Sequence, residues 1–405
     1  MRILFLTSEV PYPARSGGTI KSISVLQHMQ HNHDIHVLCF RREPLSPEQK
    51  AWTVEDGPVV TVPLRRSRSA WNLLRSYGAG VPMSVLRNRS RRMSRVAAER
   101  LASGGFDAAF ADGWLMAQYV PATFPGLRVL HEHNAEHVMW QRQADLEKSF
   151  ARRALIRLEH KRVRSYESAI VRRFDVVFAV SEEDRRALEE LGTRPGAVRL
   201  LPNVPQEGLL ERPPLRPPAH PDLLFLGSLG WPPNAEGLRR FLRSGFPALR
   251  SRRPDVRLIL AGAGAPTWLE RLASKTAGVE YAGAVTDPEP LYRGARAFVD
   301  VGVGGSGTRV KVLNAMARGL PVVSLQWGVE GLGAVPGEHA LVGGDEAELL
   351  DLLGEVLDDD VRWRSLSEGG RRLVRERYVP EIAFASLDAT LAASSDDLTP
   401  DPEYR

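Results

Sequence analysis

Short runs of apolar residues alternate with amphipathic stretches along the first two hundred residues. Helical periodicity is clearest at 19–30 and in a long stretch at 135–173, and Ser181 begins a capping box for a further helix. The apolar runs have the length of buried strands and lie at 2–7, 34–40, 59–63, 106–111, 128–133, 175–180 and 198–201. This alternation predicts a parallel, doubly wound α/β sheet with helices on both faces.

A proline-rich stretch separates this half from a second alternation of the same kind. Residues 204–221 hold two Pro-Pro pairs and no periodicity, which indicates a linker of limited flexibility. Strand-like runs follow at 223–227, 256–261, 279–282, 297–301 and 321–324. The pattern predicts two Rossmann-like domains, over 1–203 and 222–379. A helix within 380–393 and a disordered tail at 394–405 complete the prediction.

Length and composition fit a two-domain protein of ordinary globular type. The chain has 405 residues, of which 43% are hydrophobic and 25% charged, and no apolar run reaches the length of a membrane span. A strand begins at the second residue and no cleavable signal segment is recognisable, so we expect a cytoplasmic protein. Cys39 is the one cysteine, which excludes an internal disulfide and a cysteine-based metal cluster.

The two halves of the chain differ in charge. Residues 1–202 carry 31 Lys and Arg against 21 Asp and Glu, whereas residues 203–405 carry 23 against 28. Residues 65–100 hold ten arginines and one acid, Glu99, among apolar side chains. This stretch fits a patch that docks an anionic membrane or lipid phosphate, and it also fits a core-facing apolar stripe under a solvated arginine face. Aromatic residues are too few for stacking on nucleic acid.

Ligands of doubly wound sheets bind beyond the carboxyl ends of the strands, so the loops that follow strands are the candidate sites. Gly17 and Gly18 precede the first long helix, where backbone and helix N-terminus can approach an anion. A plain glycine turn explains the pair as well. The spacing lacks the G-x-G-x-x-G pattern of dinucleotide binding.

The densest cluster of functional groups follows the strand at 128–133 and covers residues 131–137. A histidine at a strand end can exchange protons or hydrogen-bond a sugar hydroxyl. Asn134 or Glu136 also fits a helix cap. His133, Glu136 and His137 match the H-x-x-E-H spacing of zinc peptidases, which leaves a zinc hydrolase as an alternative function.

The strongest signal is a glycine-rich loop between a strand and a helix, within 303–323. Its backbone N–H groups and the helix N-terminus suit a phosphate, and Arg309 and Lys311 add positive charge. Asn314 lies one helical turn after Lys311, so both can face one ligand. The residues of the glycine-rich loop itself are Gly305, Ser306, Gly307 and Thr308.

An earlier loop, at the end of the first strand of the second domain, offers Gly227 and Ser228 as a further contact for a phosphate.

The ordered set of motifs resembles the retaining GT-B glycosyltransferases of family four, the group 1 glycosyltransferases, in the subgroup with a Gly-Ser-Gly-Thr-Arg loop. The resemblance covers nearly the whole chain, through the motifs at 17–18, 129–136, 179–181, 202–204, 225–228, 260–264 and 305–309. It implies two Rossmann-like domains facing a central cleft, the second binding a nucleotide sugar and the first an acceptor. It also implies that the last helix crosses back onto the first domain.

The same resemblance implies transfer of a sugar to an acceptor hydroxyl with retention of anomeric configuration. Gly17 and Gly18 would approach the donor diphosphate, Arg309 and Lys311 would neutralise it, and His133 would contact the transferred sugar. No metal or other cofactor would be required. The implied partners are a nucleotide sugar and a carbohydrate or lipid-linked acceptor, in glycan, glycolipid or polysaccharide synthesis at the inner face of the cytoplasmic membrane.

The chain departs from the family pattern at one pair of positions. Many relatives carry two glutamates eight residues apart where this chain has Ser306 and Asn314. The second of these glutamates usually binds the ribose hydroxyls, and an asparagine keeps a hydrogen bond while it loses the charge. The departure leaves a catalytically silent nucleotide- or glycan-binding protein open as an alternative. A sugar epimerase is a further alternative, because it shares the same architecture.

Overall fold

The computed structural model describes residues 1–14, 17–55, 59–64, 75–304 and 309–396. The chain divides into two compact units. The first consists of Met1–Pro202 together with Ala383–Arg405, and the second of Asn203–Ile382.

Seven parallel strands form the sheet of the first unit, in the order β3-β2-β1-β4-β5-β6-β7. Every apolar run predicted as a strand in this half is one, with ends within two residues of the predicted ones. The runs are continuously apolar because both faces of the sheet are covered, and residues 3–6 are fully buried. The strands are β1 (Arg2–Thr7), β2 (Asp34–Arg41), β3 (Val59–Pro63), β4 (Ala108–Asp112), β5 (Leu127–Glu132), β6 (Val176–Ala179) and β7 (Val198–Leu200).

The helices of the first unit lie between these strands. The helical stretch predicted at 135–173 differs from the structure, because it forms two helices with extended backbone at Glu147 and Ser149 between them. Ser181 begins the last of them as predicted, accepting a hydrogen bond from the Asp184 N–H. The helices are α1 (Gly17–Gln30), α2 (Pro47–Glu55), α3 (Met83–Arg87), α4 (Arg91–Ser103), α5 (Glu136–Leu146), α6 (Phe150–Val171) and α7 (Glu182–Glu189).

Six parallel strands form the sheet of the second unit, in the order β10-β9-β8-β11-β12-β13. The predicted doubly wound architecture is therefore confirmed for both halves. The last strand was not predicted from the sequence. The strands are β8 (Asp222–Leu226), β9 (Arg257–Ala261), β10 (Val279–Gly283), β11 (Ala297–Asp300), β12 (Val322–Leu325) and β13 (Leu341–Gly343).

The proline-rich segment belongs to the second unit and packs on it. Leu209 is buried in its core, and the guanidinium groups of Arg371 and Arg318 donate to the carbonyls of Leu210 and Pro213. The helices of this unit are α8 (Pro232–Arg243), α9 (Gly245–Arg252), α10 (Thr267–Lys275), α11 (Glu289–Gly294), α12 (Val310–Arg318), α13 (Gln326–Val329), α14 (Glu346–Asp358) and α15 (Asp360–Arg377).

The end of the chain returns to the first unit. Helix α16 (Pro380–Ala383) leads into α17 (Ala385–Asp396), where Asp388 bonds His28 and the Thr390 hydroxyl accepts from Arg199. Residues 394–396, predicted as the start of a disordered tail, are the last residues of this helix. Residues 397–405 lie outside the described residues. Within the described chain, no helix combines the length and apolarity that crossing a bilayer requires.

Each sheet reverses its strand order beside its first strand, between β1 and β4 and between β8 and β11. At such a reversal the loops on either side diverge and leave a crevice at the carboxyl edge. Thr7 and Asp112 pair at this point of the first sheet, and Asp300 ends β11 at the corresponding point of the second. Each unit therefore has one position where a ligand crevice is expected.

Candidate active site

A buried carboxylate lies at the reversal point of the first sheet. One oxygen of Asp112 is 3.0 Å from His131 Nδ1 and 2.7 Å from His133 Nε2. Its other oxygen accepts from the hydroxyls of Thr7, at 3.1 Å, and Ser22. Burial alone would raise the pKa of Asp112, but the His133 charge and the histidine hydrogen bonds hold it well below its ordinary value. Asp112 is therefore an ionised acceptor at the end of β4.

The two histidines on Asp112 are in different environments. His131 is fully buried, and burial lowers its pKa to about 4, against the weaker effect of its hydrogen bond to Asp112. It is therefore neutral at pH 7 and donates through Nδ1. His133 follows β5 and has 23% of its side chain exposed. Because ionised Asp112 accepts from Nε2, the ring orientation and one protonated nitrogen of His133 are fixed.

Helix α1 also holds the loop that carries His133. Lys21 is nearly buried on the first helix, and its amine donates to the His133 carbonyl at 3.1 Å. Gly17 and Gly18 form the first two residues of that helix, and a side-chain carbon placed on Gly17 would meet no atom within 4 Å. The helix therefore connects the glycine pair to the His133 loop.

Asp112, His131 and His133 have the residue types of a metal site. They are the group among the described residues whose metal-ligating atoms come together, within 4.8 Å of one another. The 2.7 and 3.0 Å separations are hydrogen-bond distances, shorter than the roughly 3.3 Å expected between ligands at tetrahedral zinc. We interpret the group as a carboxylate that holds two imidazoles.

The H-x-x-E-H motif does not form a zinc-peptidase site. Helix α5 begins at Glu136, so His133 precedes it and does not share a helical face with His137. His137 Nδ1 instead lies 2.5 Å from Glu167 of α6. Glu167 also accepts from the backbone N–H groups of Glu136 and His137, so it caps α5, a role that the sequence suggested for Asn134 or Glu136. The zinc-hydrolase alternative is not favoured.

Several carboxyl groups near this edge have raised pKa values. Burial, with the charge of Glu167, raises the pKa of Glu136 to about 8 and that of Glu132 well above its ordinary value. Burial also raises the pKa of Asp184, more than its hydrogen bonds from Ala135 and Ser181 lower it. The carboxyl edge of the first unit therefore carries fewer negative charges near pH 7 than its acidic residues suggest.

A second buried ion pair occupies the reversal point of the second sheet. Lys311 Nζ lies 2.9 Å from Asp300 Oδ1 and 2.7 Å from Asn234 Oδ1, and 4.4 Å above the Phe225 ring. Burial raises the pKa of Asp300, but the charges of Lys311 and Arg309 outweigh it and leave the pKa below its ordinary value. Burial lowers the pKa of Lys311, against the attraction of Asp300. The amine has a third N–H that neither contact uses.

Arg309 is the residue before helix α12, and its side chain is held in place. One guanidinium nitrogen donates to the Gly304 carbonyl at 2.7 Å, and another to the Trp327 carbonyl at 3.3 Å. The guanidinium also lies 5.0 Å from the centre of the Trp231 ring. Arg309 therefore brings a fixed positive charge to the N-terminus of the helix that carries Lys311. The predicted loop residues Gly305, Ser306, Gly307 and Thr308 lie outside the described residues.

Gly227 and Ser228 follow β8 beside this ion pair. A side-chain carbon on Gly227 would lie 3.2 Å from Lys311 Cδ, and one on Gly262 would lie 1.7 Å from the Gly227 carbonyl oxygen. The Ser228 carbonyl accepts from Asn234 at 2.8 Å. Close packing of the Lys311 stem therefore favours glycine at 227, the Gly227 carbonyl leaves no room for a side chain at 262, and Ser228 orients Asn234 through its backbone.

Asn314 and Lys311 have different neighbours although they lie one turn apart. The Asn314 side-chain oxygen accepts from the backbone N–H of Gln206 at 2.8 Å, which joins α12 to the proline-rich segment. Lys311 is directed at Asp300 and Asn234.

Asp112 and Asp300 were missed in the sequence although a signal was present. Each is the first charged residue at the end of a predicted buried strand. Burying a carboxylate there costs much free energy unless a partner compensates its charge, so its position alone suggests a site. Glu167 gave no such signal, because its partners lie thirty residues away in the chain.

The basic stretch at 65–100 is described from residue 75 onward. Val85 and Met93, two of its apolar residues, are fully buried in the core. Helix α4 directs Met93, Ala97 and Leu101 inward, and its arginines 91, 92 and 95 outward. The described part therefore has the core-facing stripe and solvated arginine face, the second of the two interpretations. Residues 65–74 lie outside the described residues.

Two family models match the chain, one on each half. The model of the glycosyl transferase 4-like domain matches residues 24–204, and the model of glycosyl transferases group 1 matches residues 220–359. A curated relative from Klebsiella pneumoniae, named as an uncharacterized 44.6 kDa protein in the cps region, is 23% identical. That match covers 95% of this chain and 98% of the relative.

Solved structures share the fold over almost the whole chain. A sucrose-phosphate synthase from Thermosynechococcus elongatus is 19% identical with a TM-score of 0.70, covering 97% of this chain and all of that one. HepE from Anabaena, solved with UDP and glucose, is 14% identical with a TM-score of 0.69 and the same coverage. At such low sequence identity, the structural similarity shows a shared fold and does not by itself show a shared function.

Proposed function

The chain belongs to the group 1 glycosyltransferases of the GT-B fold, and we propose that it transfers a sugar from a nucleoside diphosphate donor to an acceptor hydroxyl with retention of anomeric configuration. Its second unit holds the donor and its first unit the acceptor. The buried Lys311–Asp300–Asn234 cluster at the reversal point of the second sheet is the observation that carries this proposal.

That cluster suits a diphosphate leaving group. Lys311 is held in position by Asp300 and Asn234, and Arg309 by two backbone carbonyls, so neither side chain must reorganise as charge develops. Preorganised cations stabilise the negative charge that appears on the leaving diphosphate as the glycosidic bond breaks. Gly227, Ser228 and the loop residues Gly305–Thr308 contribute backbone contacts, and Asn314 lies one helical turn further on.

His133 contacts the transferred sugar in this proposal, and Gly17 and Gly18 approach the diphosphate. Asp112 fixes the ring of His133 through Nε2, so the histidine meets the sugar in one orientation. His131 shares the same carboxylate oxygen and supports this arrangement as a neutral donor. Asp112 is thus a positioning residue.

Two findings on other proteins support the donor and the pathway. HepE was solved with UDP and glucose, which favours a uridine nucleotide among the donors to be tried first. The Klebsiella pneumoniae relative is named for a cps region, which favours polysaccharide synthesis. A reaction without a metal ion, a carbohydrate or lipid-linked acceptor and a place at the inner face of the cytoplasmic membrane complete the proposal.

A donor screen tests this function. Purified protein is heated with UDP, GDP, dTDP and ADP and their common sugars, and the donor that shifts the melting temperature is then incubated with candidate acceptors. NMR of the product reports the anomeric configuration. We expect selective stabilisation by one nucleotide class and a product with the donor's configuration.

Other outcomes separate the alternatives. Nucleotide binding with neither sugar transfer nor slow hydrolysis of the donor points to a silent protein. Isomerisation of the donor in the absence of an acceptor points to an epimerase. An inverted product contradicts retention. If no nucleotide stabilises the protein and zinc purifies with it in stoichiometric amount, the glycosyltransferase proposal is wrong.

A further inference from the structure

The end of the α5–α6 helical hairpin exposes an unusual concentration of apolar side chains. Of the eleven large apolar residues exposed in the described chain, four lie within residues 146–158. They are Leu146, Phe150, Leu155 and Leu158, with 39%, 85%, 64% and 45% of their surface exposed. Clustered exposure of this kind marks an interaction surface, whereas single exposed apolar residues need no explanation.

The hairpin end lies outside the core of the first unit. None of the first nine residues of α6 is buried, and the buried face begins at Glu159. Phe150 and Leu158 lie about two helical turns apart on one side of α6, so both side chains can insert into the same apolar environment. The core of the unit therefore does not need these side chains.

Positive charges surround the same apolar surface. Residues 146–164 hold seven Lys and Arg against two glutamates. Glu159 is buried and pairs with Arg162, so it does not neutralise the outer face. Arg152, Arg157 and Lys161 are exposed and make no hydrogen bond or ion pair with a described residue. Aromatic and aliphatic side chains set among free cations fit the boundary of an anionic bilayer, where long basic side chains reach the headgroups.

We propose that the hairpin end, residues 146–161, docks this protein on an anionic membrane surface. Helix α5 starts three residues after His133 and has eleven residues, so the hairpin turn lies about 16 Å from the start of α5. Given the proposed function, a bilayer at this surface brings a lipid-linked acceptor close to His133. The docking itself does not depend on that function.

Co-sedimentation with vesicles of equal parts phosphatidylglycerol and phosphatidylcholine tests the proposal. We expect the full-length protein to sediment at low salt, much less at high salt, and not with phosphatidylcholine alone. Phe150→Ser with Leu158→Ser should weaken binding at least about tenfold, because both apolar contacts are lost. The control Val361→Ser removes an apolar residue of the second unit whose exposure, 75%, lies between those of Phe150 and Leu158, and it should leave binding unchanged.

A matched pair of triple variants tests the charges. Arg152→Gln, Arg157→Gln and Lys161→Gln should abolish most low-salt binding, whereas Arg91→Gln, Arg92→Gln and Arg95→Gln remove the same charge from α4 and should change it little. Thermal melting confirms that each variant is folded. The proposal is wrong if the wild type stays in the supernatant at low salt, if both triple variants bind alike, or if Phe150→Ser with Leu158→Ser converts an oligomer to a monomer without changing vesicle binding.

Discussion

At the scale of single residues, the proposed donor site depends on a buried ion pair. Lys311 has 12% of its side chain exposed and Asp300 has 1%. Removing one partner of such a pair leaves the other charge buried without compensation. Binding and stability are therefore linked at this site, which must be considered when variants are designed.

We predict that Lys311→Ala lowers the free energy of unfolding by about 3–5 kcal/mol, because Asp300 is left unpaired. Lys311→Met with Asp300→Asn should recover most of that loss while nucleotide binding stays weak. Urea unfolding and calorimetric titration with the nucleotide measure the two effects. Tight nucleotide binding by the stable double variant would show that the phosphates bind elsewhere.

Asp112 should matter for turnover more than for donor binding. Asp112→Asn removes the charge that holds His133, and we expect kcat to fall at least about tenfold with little change in donor Kd. In a His133→Ala background the same substitution should have no further effect, because the two residues act as one unit. Additive losses would show that Asp112 acts without His133.

His131 should make the protein less stable in mild acid. The pKa of His131 is about 4 in the folded protein and 6.5 in the unfolded chain. Between these two pH values the unfolded chain binds a proton at His131 and the folded protein does not. This contribution is complete above pH 6.5 and is lost as the pH falls towards 4, by about 2 kcal/mol between pH 7 and pH 5.

Urea unfolding of the wild type and of His131→Asn at pH 7 and pH 5 measures this effect. The asparagine can still donate to Asp112 but does not titrate. The difference in unfolding free energy between wild type and variant should be about 2 kcal/mol smaller at pH 5 than at pH 7. An unchanged difference would mean that His131 is not the residue that titrates.

At the scale of elements, Glu167 is the cap that the sequence could not indicate. Glu167→Ala leaves two backbone N–H groups of α5 and His137 without their acceptor, and we expect a loss of about 3 kcal/mol. Glu182→Ala is the control, because Glu182 pairs with Arg185 and Arg186 on the surface and should cost less than about 1 kcal/mol. Equal losses in urea unfolding would contradict the capping role.

Strands were easier to predict than helix ends. A parallel strand covered on both faces must be apolar throughout, so β1, β4 and β5 are visible as runs in the sequence. The break between α5 and α6 was not visible, because both sides keep helical periodicity and the interruption depends on extended backbone at Glu147 and Ser149. Site residues followed the same rule. Strand-end positions carry a signal in the sequence, which identified His133 and was overlooked at Asp112 and Asp300, whereas partners distant in sequence carry none.

At the scale of the whole molecule, each unit has the same plan with a different chemistry at its reversal point. The first carries a carboxylate that holds two imidazoles, and the second carries fixed cations. The resemblance to group 1 glycosyltransferases could be recognised from ordered motifs along the chain. The side chains that meet at each reversal point could not be identified without the strand order. Asp112 ends β4 and His133 follows β5, whereas Thr7 ends β1 and Ser22 lies on helix α1.

Nucleoside diphosphate release from a panel of nucleotide sugars with candidate acceptors measures the proposed activity most directly. We predict release from one donor class by the wild type, and at least about tenfold less by Lys311→Met with Asp300→Asn at equal folded concentration. No release from any donor, or equal release by that variant, would contradict the claim that this protein is a glycosyltransferase whose donor phosphates bind at Lys311.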